Sequence, residues 1–215
     1  LLAGLYQREK NYTAARDAYE KVLELNPNYV PALNSLAYLY ADFLNERERA
    51  YQLARQAREL APADGKVADT FGRILQQRGD YRSAIAPLKE AATRIPDSAE
   101  IRYHLAINAY MLGDEAAATE LLSEALRLST EFPGVDDARA KLRVLKLSTS
   151  KENLAATDAV LKDYLAKEPK DPVALRKQGL SLEMAGKVKQ AVEVLQRAQE
   201  LNPQNWHELP LLTRQ

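Results

Sequence analysis

The sequence predicts an all-α chain, an α-solenoid of stacked helix-turn-helix units, and three observations predict it. Prolines that follow apolar helical stretches, Pro27, Pro62, Pro96, Pro169 and Pro203, lie 35, 34, 73 and 34 residues apart, and a fixed period of a few tens of residues marks a repeat architecture. Small residues recur at one offset before those prolines. Glycines recur where a first helix would end and a second begin.

The spacing of 73 divides into 34 residues to Thr130, where the proline is missing, and 39 to Pro169. The excess of five is assigned to an inserted loop, 133–137. The extra residue in the spacing of 35 falls at Leu44-Asn45-Glu46. This register gives a truncated first unit at 1–29, then units at 30–64, 65–98 and 99–132. Two more follow at 138–171 and 172–205, and residues 206–215 begin a further unit or form a cap.

The first unit contributes Ala15, Tyr19 and Val22 at twelve, eight and five residues before its proline. The same offsets hold Ala50, Ala54 and Ala57, then Ala84, Leu88 and Ala91, then Ala118, Leu122 and Ala125. The fifth unit departs, with Thr157, Leu161 and Tyr164, and the sixth returns to Ala191, Leu195 and Ala198. Small residues belong where helix backbones approach closely enough for larger neighbours to interlock. The first helices carry Leu36-Ala37, Phe71-Gly72 and Leu105-Ala106, with Gln178-Gly179 as a polar variant.

Gly79, Gly113 and Gly186 are placed at helix ends, where a residue must enter the left-handed region. Asn11 and Asn45 are expected to do the same in the first two units. Asp80 and Asp114 are expected to cap second helices. The prolines end those helices, because the residue before proline disfavours helical geometry. Pro87 should bend its helix without breaking it. Each helix is too short to be stable alone, so units must bury their faces against neighbours.

Composition narrows the partner. Lys+Arg and Asp+Glu balance at 30 each, which argues against nucleic acid or an anionic membrane as the main partner. No apolar run is long enough to cross a bilayer, so no membrane insertion is expected in this segment. The chain has no cysteine and two histidines, His104 and His207. A thiolate metal site is excluded, no cofactor or metal is expected, and no phosphate-binding glycine loop or nucleophile elbow is present. His104 reads as a surface or packing residue. Asp136-Asp137 read as the cap of a helix starting near Ala138, with a weak cation site as the alternative. The chain opens in mid-pattern at Leu1-Leu2-Ala3 and is expected to be part of a longer protein.

The stretch Phe71-Gly72, Gly79-Asp80-Tyr81, Ala84, Leu88, Ala91 and Pro96 closely resembles the tetratricopeptide repeat consensus, and the resemblance extends over essentially the whole chain. It implies a right-handed superhelix whose first helices line a concave groove that binds peptides or partner proteins, not an enzyme. Carried onto this sequence, the groove positions are Asn34, Tyr38, Asp69, Arg73, Gln77, Tyr103, Ile107 and Tyr110. Asp42, Gln76, Met111, Arg176, Leu180 and Met184 join them by the same rule. Aromatic, amide and Arg side chains suit peptide recognition; the alternative is that Tyr38, Tyr103 and Tyr110 pack adjacent helices. The Lys-Asn clamp that some members use on a terminal carboxylate is not reproduced by Asn34, Tyr38, Lys66, Asp69 and Thr70.

A narrower resemblance rests on Val67 to Leu75 and Glu100 to Ala106, which look like bacterial envelope tetratricopeptide proteins, including the lipoproteins of exosortase (PEP-CTERM) and exopolysaccharide systems. It implies a periplasmic or outer-membrane-associated setting, a cytoplasmic one being the alternative. The leading expectation is therefore a scaffold for a protein or peptide partner. The other is the substrate-recruiting segment of a larger enzyme such as a glycosyltransferase. Leucines at both ends, Leu1, Leu2 and Leu5 with Leu209, Leu211 and Leu212, offer a surface for self-association. Trp206 reads as cover for the last unit's apolar end, or as a binding anchor.

Overall fold

A computed structural model describes residues 2–148 and 150–203, Lys151 by its backbone alone. Thr149, Trp206, His207 and the leucines at 1, 209, 211 and 212 lie outside the described residues. Among the described residues there are twelve α-helices and no strand. They run α1 (Leu2–Arg8), α2 (Tyr12–Leu25), α3 (Val30–Asp42), α4 (Arg47–Leu60), α5 (Gly65–Gln77) and α6 (Tyr81–Arg94). There follow α7 (Ala99–Leu112), α8 (Glu115–Leu128), α9 (Val135–Leu145), α10 (Leu154–Lys167), α11 (Pro172–Met184) and α12 (Val188–Leu201). The chain divides into two compact units, Leu1–Leu105 and Ala106–Gln215.

Every second helix buries its fourth and eighth residues, and four of the six bury the eleventh. The fourth residues of α2, α4, α6, α8 and α12 are Ala15, Ala50, Ala84, Ala118 and Ala191, all fully buried. The eighth residues are Tyr19, Ala54, Leu88, Leu122 and Leu195, all buried, and the eleventh include Ala57, Ala91, Ala125 and Ala198. In α10 the fourth place holds Thr157, also buried. Its hydroxyl donates to the Ser148 carbonyl at 2.8 Å, so the one polar residue at this place has an acceptor to meet.

Why the first helices carry small residues is visible at two of them. A Cβ on Gly72 would stand 2.6 Å from Leu88 Cγ, and one on Gly179 2.5 Å from Leu195 Cγ. Both glycines are the eighth residue of their helix, facing the eighth residue of the next.

Helix ends follow local chemistry. Gly79, Gly113 and Gly186 have positive φ. The amide just beyond each donates back into the last turn, as Asp80 does to Leu75 at 2.9 Å. Asn45 takes the same conformation with φ 53°. Asn11 does not: the left-handed residue is Lys10, and Asn11 caps α2 by accepting from the Ala14 amide. Asp80 and Asp114 cap α6 and α8 as expected, accepting from the Ser83 and Ala117 amides.

Each of the five anchor prolines lies two residues beyond its helix, and the residue before it has extended backbone, such as Ile95 with φ −130° and ψ 70°. Pro87 is buried inside α6, which continues through it. The inserted loop is shorter than 133–137. Gly134 takes φ 94°, and α9 begins at Val135, putting Asp136 and Asp137 in its first turn. A left-handed glycine reverses the chain early, and two carboxylates favour the helix N-terminus.

A candidate partner-binding face

In the first unit, the outward positions of α3, α5 and the start of α7 form one connected polar surface. Asp42 accepts from Arg73 Nη2 at 2.8 Å through one oxygen and from Gln77 Nε2 at 2.7 Å through the other. That fork holds the Arg73 guanidinium 5.3 Å from the centre of the Tyr38 ring, within cation–π range. Tyr38 meets Phe43 edge-on at 5.6 Å, and Phe43 stacks on Tyr12 at 3.9 Å. Burial, then the charge of Asp42, holds the Tyr38 phenol above its usual range. One turn earlier on α3, Asn34 Oδ1 is buried and has no hydrogen-bond partner among the described residues.

Asp69 continues the surface and pairs with the buried His104. The imidazole Nδ1 lies 2.8 Å from Asp69 Oδ1, and His104 is 5% exposed. A carboxylate only accepts, so Nδ1 carries the hydrogen. Gln76 donates to the His104 carbonyl at 2.9 Å. His104 is thus a buried partner of Asp69, not a surface residue. Tyr103 is half-buried beside it, the two rings 5.7 Å apart.

Of the eight expected groove residues, five come together: Asn34 and Tyr38 on α3, and Asp69, Arg73 and Gln77 on α5. Ile107 is half-buried in the second unit. Tyr110 is a correction. It is 0% exposed, and its hydroxyl donates to Asp171 Oδ1 at 2.9 Å, so it can touch no partner in the folded state. The Tyr164 hydroxyl donates to the other Asp171 oxygen at 2.8 Å. The same carboxylate caps α11 at the Val173 and Ala174 amides. Lys141 adds its ammonium 3.7 Å from Asp171 and 5.4 Å from the Tyr110 ring centre. Asp42, His104 and Asp171 were not foreseen in these roles.

Burial first, then the charge of Asp171, pushes the Tyr110 and Tyr164 phenols far above the ordinary value. Tyr40 is raised to about 12 by burial and by its hydrogen bond to Glu20. A raised folded pKa means the unfolded chain loses these protons first. Their stabilisation is intact below the unfolded value near 10 and is lost as pH rises above it. Alkaline titration should therefore show tyrosinate absorbance from these three of eleven tyrosines only together with loss of helical circular dichroism. Full ionisation of all eleven with native helicity retained would contradict the burial described.

The helix-pair geometry agrees with family comparison. Tetratricopeptide repeat profiles match residues 1–29, 18–86, 75–142 and 153–205. The chain is a tetratricopeptide repeat protein. Among curated relatives, it is 29% identical over 109 residues to the human protein O-mannosyl-transferase TMTC1, covering 49% of this chain and 12% of that one. It is 32% identical over 101 residues to a Drosophila melanogaster BBSome complex member BBS4 homolog, covering 46% and 21%. It is 27% identical over 162 residues to protein FlbA of Caulobacter vibrioides, covering 75% and 27%. The chain spans between 12% and 27% of the length of these relatives.

Solved structures share the fold. PilW, described as a widely conserved type IV pilus biogenesis factor, aligns with TM-score 0.61 at 21% identity, over 99% of this chain and 94% of that one. YrrB, described as a tetratricopeptide protein with an unusual peptide-binding site, gives 0.54 at 19%, over 87% and 94%. MamA gives 0.52 at 18%, over 94% and 95%.

Proposed function

We propose that this tetratricopeptide array is a protein-interaction scaffold that takes a peptide segment or partner protein on the α3/α5 face. The observation that carries the reading is the fixed Arg73–Tyr38 pair, held by Asp42 across α3 and α5. Asp42 locks the guanidinium over the ring, so little side-chain freedom is left to lose on binding. The proposed repeat boundaries are 1–29, 30–64, 65–98, 99–132 and 172–205, with the fifth unit running from the start of α9 at Val135 to residue 171. Bacterial envelope or exopolysaccharide assembly is the proposed setting, on the sequence phrases at 67–75 and 100–106. Self-association through the array ends is a further proposal; sedimentation showing one monomeric species at all concentrations would end it.

The test is selection from a displayed peptide library by the wild-type chain, repeated with Asn34→Ala/Tyr38→Ala/Arg73→Ala. Selected peptides should bind the triple variant at least about tenfold more weakly, as expected when anchor residues are removed. A variant of native helicity that keeps full affinity would show the face to be misplaced. The likeness to a protein O-mannosyl-transferase favours one second reading, a recruiting segment of a glycosyltransferase. A transferase domain encoded in the same gene would support it.

A further inference from the structure

Between α8 and α9, within the second unit, lies an open groove of about 440 Å³ lined by Leu126, Arg139, Leu142, Arg143, Lys146 and Leu147. Its lining charges are all positive. Arg139, Leu142 and Arg143 on α9 and Lys146, its C-cap residue in helical conformation, are spaced i, i+3, i+4, i+7, so they share one helix face. The other face buries Ala138, Val144 and Leu145. Arg139 has a partner, Asp136 at 3.1 Å, but both side chains are more than half exposed, so the pair is weak. Arg143 and Lys146 are exposed and have no ion-pair partner among the described residues. Cations near a helix C-terminus are favoured by its dipole, which accounts for the charges but not for three half-buried leucines between them.

We infer that this groove docks an acidic amphipathic helix of a partner protein, leucines inward and carboxylates over Arg143 and Lys146. Charge complementarity selects the occupant. The whole chain is neutral, with 30 acidic and 30 basic residues, so a lining with three cations and no acid is a local excess of positive charge. A nucleic acid would meet the charge and leave the leucines wet. An acidic leucine-bearing helix meets both, in the helix-in-groove mode of recognition. The cavity of about 650 Å³ between α2 and α4 offers no such contrast: Glu48 is paired with Arg78, and Glu20 with Tyr40 and Arg16.

The groove lies on other helices than the α3/α5 face, and its test is separable. The probe is a fluorescent, C-terminally amidated peptide of about 16 residues, long enough to form a helix when bound. It has leucine at i, i+3, i+4 and i+7 and glutamate elsewhere. Anisotropy with the full chain should show binding at least tenfold tighter than a lysine-for-glutamate or a serine-for-leucine version, weakening with salt. Arg143→Glu/Lys146→Glu, both exposed, should lose at least tenfold at unchanged helicity and melting temperature. Asn34→Ala/Tyr38→Ala/Arg73→Ala should bind the probe as the wild type does. Equal binding of all three peptides, or indifference to the charge reversal, would overturn the inference. So would an oligonucleotide or polyglutamate of equal charge binding as tightly, which would leave only a polyanion surface.

Discussion

Ala84→Arg is expected to destabilise the chain by about 3–5 kcal/mol, the scale of an uncompensated buried charge. Ala84 has no exposed surface and is the fourth residue of α6, one turn before Leu88, which fills the space over Gly72. A long side chain there must push α5 and α6 apart or leave a guanidinium in the interface. Overpacking adds about 1–3 kcal/mol. Whole-domain stability is only about 5–15 kcal/mol, so the melting transition should drop steeply or split, as units lose their coupling to neighbours. A urea or thermal melt within error of wild type would refute the place given to Ala84.

A gentler pair of variants tests the same contact with its sign reversed. Gly72→Ala gains about 1 kcal/mol of helix propensity, yet its Cβ would lie 2.6 Å from Leu88 Cγ, where overpacking outweighs that gain. Adding Leu88→Ala removes the clash. The chain already contains that combination, since the eighth residues of α3 and α4 are Ala37 and Ala54. Gly72→Ala should accordingly be less harmful in the Leu88→Ala background than in the wild type, a positive coupling measured by a double-mutant cycle.

How much of this was legible follows from what each residue must satisfy. Ala50, Ala84, Ala118 and Ala191 are read directly, because close backbone approach tolerates few side chains and the period repeats the demand. Gly79 and Asp80 are read for the same reason: one φ value and one capping geometry admit few residue types. Lys10 was missed because lysine carries no left-handed signature; aligning Asn11 with Asp80, each just before a helix, would have placed it. Partner choice on the polar face was harder. Arg73–Asp42, Gln77–Asp42 and Asp69–His104 join residues 31 to 35 apart, about one repeat, so adding the period to each polar position would have suggested them. Tyr110–Asp171 spans 61 residues across the irregular unit, where no regular period carries over.

Asp171→Ala is expected to cost about 3–5 kcal/mol, by a different route. The carboxylate accepts four hydrogen bonds, two from amides opening α11 and two from the Tyr110 and Tyr164 hydroxyls. Losing the cap costs about 1 kcal/mol. Each hydroxyl left without an acceptor costs a further 1–3 kcal/mol or so when buried; Tyr110 is fully buried and Tyr164 partly. Lys141 is less affected, because it keeps Asp137 at 2.6 Å. The contributions separate in a cycle. In a Tyr110→Phe/Tyr164→Phe background there are no hydroxyls to orphan, so Asp171→Ala should cost little more than the cap. An equal loss in both backgrounds would mean that Asp171 acts through the helix terminus alone and that the two tyrosines pack without its help.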